Sequence, residues 1–186
     1  MRLLGIAGSH RAASYNQSLL RAAREIAPPG TVIEEFDIRE LPFYDGDVEA
    51  AGDPPSVAAF KEAIRDADAL LFATPEYNRG VPGVLKNAVD WASRPPFASP
   101  LTGKPVAIMG ASTGRGGTAR AQEQLRSALE HSRAGVLEQP EVLVPEAYMA
   151  FDGEGRLVDE TAREDLTELL AALAQAVAAT PRPVAA

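Results

Sequence analysis

Short apolar runs rich in Val, Ile and Leu alternate along this chain with stretches whose apolar residues recur at helical spacing. The runs predict strands at Arg2–Gly8, Thr31–Ile38, Ala69–Thr74, Val106–Ala111 and Glu141–Val144. The stretches between them predict helices at Asn16–Ile26, Ser56–Asp66, Pro82–Trp91, Thr118–His131 and Glu160–Ala179. The first, third and fourth runs are apolar at nearly every position, as strands are when helices cover both faces of a parallel sheet. In the last helix Leu166, Leu169, Leu170, Leu173, Ala174 and Val177 form one face, and Asp159 stands where an N-cap belongs. This alternation predicts a three-layer α/β sandwich. Tyr44 to Pro55 reads as a long surface connection. Residues 1–180 are expected to form a single domain, with 181–186 as a flexible tail.

Composition removes whole classes of chemistry. The 186 residues suffice for one sizeable core, and 46% hydrophobic with 24% charged residues is ordinary for a globular chain. The absence of cysteine excludes disulfides, thiolate catalysis and Cys-ligated metals. The two histidines, His10 and His131, lie far apart and lend no support to a His-rich metal site or a Ser-His-Asp hydrolase. A formal net charge of −8 argues against nucleic-acid binding by phosphate neutralisation, yet leaves a nucleotide cofactor open. No apolar run approaches the ~18 residues of a membrane span. No signal-peptide pattern precedes the first strand, so the cytoplasm is the expected location.

The most informative segment is Gly8-Ser9-His10-Arg11-Ala12-Ala13-Ser14-Tyr15-Asn16. A strand that turns through such a loop into a helix aims free N–H groups and the positive end of the helix dipole at one point. Ser9, Ser14 and Asn16 add short polar side chains, and Arg11 adds a fork suited to phosphate. Neither G-x-G-x-x-G nor G-x-x-x-x-G-K-[ST] is present, so a pyrophosphate fingerprint and a P-loop are both unsupported. The loop fits a terminal monophosphate. The same residues also suit a solvated loop with a helix N-cap, and the segment alone leaves both readings standing.

In doubly wound sheets ligands sit beyond the carboxyl ends of the strands, where the strand order reverses. The loops after strands one, three and four are therefore expected to converge. The second of these is Thr74-Pro75-Glu76-Tyr77-Asn78-Arg79-Gly80-Val81-Pro82-Gly83, where Tyr77 offers a flat surface and Asn78 paired donors and an acceptor. The third, Ala111 to Thr118, is glycine-rich and carries Ser112 and Thr113. Arg115 and Arg120 stand ready to attract an anion, or simply to pair with surface carboxylates.

At these residues the chain resembles the NADPH-dependent FMN reductase family of flavodoxin-like quinone, azo-dye and chromate reductases. GSHRAASYN, PEYNRGVPGVLKNAVDWASRP and GKPVAIMGASTGRGGTARAQEQLR carry the resemblance, which runs from Met1 to about Leu173. It implies a five-stranded parallel sheet of order 2-1-3-4-5 and a bound FMN with NADPH or NADH as co-substrate. Ser9, Arg11, Ser14, Tyr15, Asn16 and Gln17 would line the FMN phosphate site. Pro75, Glu76, Tyr77 and Asn78 would border the flavin ring, largely through backbone groups, with Ser112 near it from the third loop. Arg79 or Arg115 would favour the extra phosphate of NADPH. The resemblance also implies a homodimer or homotetramer, with the Lys86–Trp91 helix near a partner subunit; Trp91 equally suits a core position at a helix end. His10, Tyr15 and Gly80 replace the aliphatic residue, Phe and Ser common in the family, and none of these changes removes a phosphate donor.

The implied activity is ping-pong hydride transfer from NAD(P)H to FMN, then two-electron reduction of a quinone, azo compound, metal oxyanion or flavin. The chemistry rests on the flavin, and no catalytic side chain is expected. A flavodoxin-type electron carrier is the alternative, but its T-x-T-G-x-T loop is absent. A receiver-type signalling domain would need an Asp ending strand three, where Thr74 stands.

Overall fold

Successive side chains along the central strands enter two different cores, and this fixes the layering. The computed structural model describes residues 1–180. It contains strands β1 (Arg2–Ala7), β2 (Val32–Glu35), β3 (Ala69–Ala73), β4 (Pro105–Ala111), β5 (Gly135–Val136) and β6 (Val142–Val144). The helices are α1 (Tyr15–Ile26), α2 (Gly46–Ala51), α3 (Pro55–Asp66), α4 (Gly83–Ala92), α5 (Ala119–His131), α6 (Ala147–Ala150) and α7 (Glu160–Ala179). The strands pair in parallel in the order β2-β1-β3-β4-β5, and β6 also pairs with β4. Leu3, Ala7, Ala69, Leu71, Ala73, Ala107, Met109 and Ala111 face α1 and α7. Leu4, Ile6, Leu70, Phe72, Val106 and Ile108 face α3, α4 and α5. The many alanines on the first face let α1 and α7 approach the sheet closely. The predicted three-layer sandwich is the observed one.

Local chemistry sets the helix ends. The Ser14 hydroxyl accepts from the N–H groups of Asn16 and Gln17 at 3.2 and 3.4 Å and starts α1. Asp159 accepts from the Ala162 N–H at 2.8 Å and starts α7, whose Leu166, Leu169, Leu170 and Leu173 are buried as the spacing predicts. Ala174 and Val177 are only half-buried. Trp91 is fully buried in this chain's own core, donating from its indole to the Pro42 carbonyl at 2.8 Å.

Three features differ from the sequence expectation. The fifth sheet position holds two short strands instead of one, with β5 beside Pro105–Val106 and β6 beside Met109–Ala111. Pro140 falls between them and has no N–H to continue a ladder. The connection from Tyr44 to Pro55 contains α2, which buries no residue and so leaves no periodic apolar signal. Strand two ends at Glu35, and Asp37 then caps a 3₁₀ turn over Ile38–Glu40 by accepting from the Arg39 N–H at 3.0 Å. The expected tail at 181–186 lies outside the described residues. No helix among the described residues is long and apolar enough to cross a membrane.

Candidate functional site

The loops after β1, β3 and β4 are tied together where their strands end. The Gly8 N–H donates to the Ala73 carbonyl at 2.9 Å, and the Thr74 N–H to the Met109 carbonyl at 2.9 Å. Asn16 supplies a second tie. Its carboxamide donates to the Ala111 carbonyl and accepts from the Ala111 N–H, both at 2.9 Å, in a buried setting. The Tyr77 hydroxyl meets the Ser9 hydroxyl at 3.4 Å and joins the second loop to the first. The convergence expected from topology is what the chain builds.

The first loop offers an unusual density of unused donors. Among the described residues, no backbone N–H from His10 to Tyr15 finds a protein acceptor. Ser9 is only 4% exposed, whereas Arg11 is exposed, its guanidinium 5.5 Å from the centroid of the Tyr15 ring. That ring packs on Phe151 with centroids 5.5 Å apart. Gln17 is half-buried beside the loop. A cavity of about 480 Å³ opens on the β2 side of the loop, lined by Ser9, His10, Arg11 and Gln17 and, across from them, Asp37 and Arg39. The Arg39 guanidinium holds the Asp37 carboxyl below the usual carboxylate range. The pairing of β1 with β2, in the order the resemblance implies, sets the end of β2 beside this loop, but Asp37 and Arg39 there were not read from sequence as part of the site.

The second loop is a tight hairpin. Tyr77 and Gly80 exchange backbone hydrogen bonds at 3.1 and 3.0 Å, while Asn78 and Arg79 between them have φ of 51° and 65°. Two consecutive left-handed residues are the mark of a type I′ turn. The hairpin leaves Tyr77 52% exposed and places Arg79 in solvent. Pro75 is buried beneath it. The Glu76 carboxylate turns away from the loop and accepts from the Arg120 and Ala121 N–H groups at 3.0 and 3.2 Å. It thus caps α5, a position the helix dipole favours for an anion. Only the backbone of Glu76 remains for the site, and Arg120 is its partner at 3.7 Å.

The third loop begins at Ser112, whose hydroxyl accepts from the Gly114 N–H at 3.1 Å. Arg115 is exposed at its tip. Beneath it, Thr118 is fully buried and accepts from the Gln122 side chain at 2.9 Å. The loop closes on Gly110, and a methyl added there would lie 2.1 Å from the Thr118 hydroxyl and 2.4 Å from the Thr74 carbonyl. Sequence reasoning missed Gly110, Thr118 and Gln122, because a glycine inside an apolar strand carries no motif.

Asn16 gives a direct test of this arrangement. Asn16→Ala leaves the N–H and carbonyl of Ala111 buried without partners, which costs about 1–3 kcal/mol. Urea unfolding of the apoprotein is expected to show that loss, and an unchanged midpoint would remove Asn16 as the tie between α1 and β4.

The topology makes this a flavodoxin-like α/β protein, and comparison with known proteins narrows it. The sequence profile of the NADPH-dependent FMN reductase family matches residues 1–149. An NAD(P)H-dependent FMN reductase of Pseudomonas aeruginosa is 54% identical over 173 residues, 93% of each chain. A 2-hydroxy-1,4-benzoquinone reductase from a Burkholderia species is 43% identical over 89% of this chain and 90% of its own. A flavoenzyme NAD(P)H:(acceptor) oxidoreductase from Paracoccus denitrificans superposes with a TM-score of 0.88 at 33% identity, covering 96% of this chain and 98% of that one. The chain belongs to the NADPH-dependent FMN reductase family. It is an oxidoreductase that uses FMN, with NAD(P)H as co-substrate.

Proposed function

We propose that residues 1–180 form one FMN-binding domain that passes two electrons from NAD(P)H to a small acceptor, foremost a quinone. The observation that carries this reading is the row of unpartnered N–H groups from His10 to Tyr15 at the start of α1, beside the buried Ser9 hydroxyl. Such a set of neutral donors at a helix N-terminus suits a dianionic phosphate. Ser9, Arg11 and the free N–H groups of Ser14 and Tyr15 would hold the FMN phosphate, with the Gln17 side chain beside them and the Tyr15 ring supporting Arg11. Asn16 would act by locking α1 to β4. Pro75, Glu76, Tyr77 and Asn78 would flank the flavin ring through the hairpin backbone, and Ser112 would approach from the third loop.

When bound, FMN would supply the two-electron transfer chemistry between nicotinamide and acceptor, held by the residues of the three loops named above. The protein's part is to orient the partners and to stabilise charge on the ring with fixed N–H dipoles. Arg79 and Arg115, both exposed beside the loops, would attract the phosphates of NAD(P)H. A quinone is favoured as acceptor because relatives named as quinone reductases are 40–43% identical over most of this chain. We also propose a cytoplasmic homodimer or homotetramer, as the family resemblance implies.

The test is stopped-flow mixing of the FMN-loaded chain with NADPH under anaerobic conditions, followed by benzoquinone. Rapid bleaching of the flavin band and its return on quinone addition are expected. A chain that takes up no FMN, or a bound flavin that NADPH leaves oxidised, would sink the reading.

A further inference from the structure

The hairpin of the second loop is gripped by a residue that the site as described does not use. Gln124 lies on α5, one turn beyond the residues that Glu76 caps, and so on the same helix face. Its carboxamide oxygen accepts from the Val81 N–H at 3.1 Å, and its nitrogen donates to the Arg79 carbonyl at 3.4 Å. Both bonds fall on backbone flanking Gly80. Arg79, unlike Asn78, has no special tolerance for the left-handed conformation it adopts, with φ of 65°. An external hold on its carbonyl opposes relaxation of the turn.

Gly80 is the other half of the contact. It is not among the residues with positive φ, so its backbone does not demand glycine. Space does. A methyl on Gly80 would lie 2.8 Å from the Gln124 carboxamide oxygen. Position 80 therefore has a steric partner on α5.

We propose that Gln124 is a positioning residue for NAD(P)H, with Gly80 as its steric counterpart: the pair fixes the turn that presents Tyr77 and Arg79 to the incoming dinucleotide. The proposal rests on the functional reading above and adds to it a determinant of co-substrate affinity outside the loops. Loosening the turn acts chiefly on its tip at Arg79 and Tyr77, while the first loop keeps its own N–H donors for the FMN phosphate, so the loss falls mainly on nicotinamide capture and much less on FMN retention.

The experiment is a double-mutant cycle with Gln124→Ala and Gly80→Ala on the FMN-loaded protein, reading KM and kcat for NADPH, FMN affinity and thermal midpoint. Each single variant is expected to raise KM about tenfold, with kcat and FMN affinity within about twofold of wild type. The double variant is expected to be no worse than either single one, because the added methyl then meets no carboxamide. Gln124→Glu, which still accepts from Val81 but no longer donates to Arg79, is expected to fall between wild type and Gln124→Ala. Wild-type KM in Gln124→Ala overturns the proposal, as do effects that multiply to about a hundredfold in the double variant. A lowered thermal midpoint with unchanged KM also overturns it and leaves Gln124 a purely structural clamp. A wild type that takes up no FMN overturns the site reading and this proposal with it. A flavin-loaded wild type with unresponsive variants overturns this proposal alone.

Discussion

Gly110→Ala is expected to leave the chain unable to hold its native state. The added methyl would sit 2.1 Å from the Thr118 hydroxyl, 2.9 Å from its Cβ and 2.4 Å from the Thr74 carbonyl. Thr74 and Thr118 are both fully buried, one following β3 and the other preceding α5, so neither can swing aside into solvent. Relief requires β3, β4 and α5 to separate at the point where the second and third loops are anchored. Losses beyond about 4–5 kcal/mol are reserved for defects of this kind, and total stability is commonly only about 5–15 kcal/mol. Urea unfolding read by the fluorescence of the buried Trp91 measures the effect. Thr118→Ala in the same background removes the shortest contact but not the one to the Thr74 carbonyl, so rescue is expected to be incomplete. A single Gly110→Ala variant with a wild-type midpoint would show that this crossing is far looser than described.

Arg11→Ala is expected to weaken FMN binding by about 1.5–3 kcal/mol, the worth of a charge-assisted hydrogen bond, or roughly ten- to a hundredfold in Kd. The side chain is exposed and makes no hydrogen bond or ion pair among the described residues, its guanidinium lying over the Tyr15 ring, so the apoprotein is expected to unfold at its normal midpoint. Riboflavin, which lacks the phosphate, supplies the control. Fluorescence titration is expected to show FMN affinity falling while riboflavin affinity stays put. Equal losses for both would move Arg11 from the phosphate to the ring, and no loss for either would remove it from the site. Arg11→Lys is expected to be intermediate, because an ammonium keeps the charge but not the forked geometry.

The sheet was legible because its central strands are apolar on both faces, a pattern few other structures share. The helices were legible from apolar spacing, and Asp159 marked the start of the last one correctly. What escaped notice lacks such a signature. The six-residue α2 touches no core, and β5 has only Gly135 and Val136 to announce it. In the site, the residue types along the first and second loops could be read directly, but their duties could not. Asn16 spends its carboxamide on Ala111, Glu76 spends its carboxylate on α5, and Gln124 reaches back to a loop 43 positions earlier. Those roles come from contacts between segments distant in sequence, which no local pattern encodes.

The divided fifth position has a consequence for how copies of this chain can meet. At one margin of the sheet the hydrogen-bonding row is broken into segments of two and three residues by a stretch containing Pro140. At the other, β2 is only four residues long and carries the charged, ion-paired side chains of Glu34 and Glu35. Neither margin offers a template for polymerising strands, so aggregation by that route is disfavoured from the start. Any lasting association between copies has to be made by helices and loops.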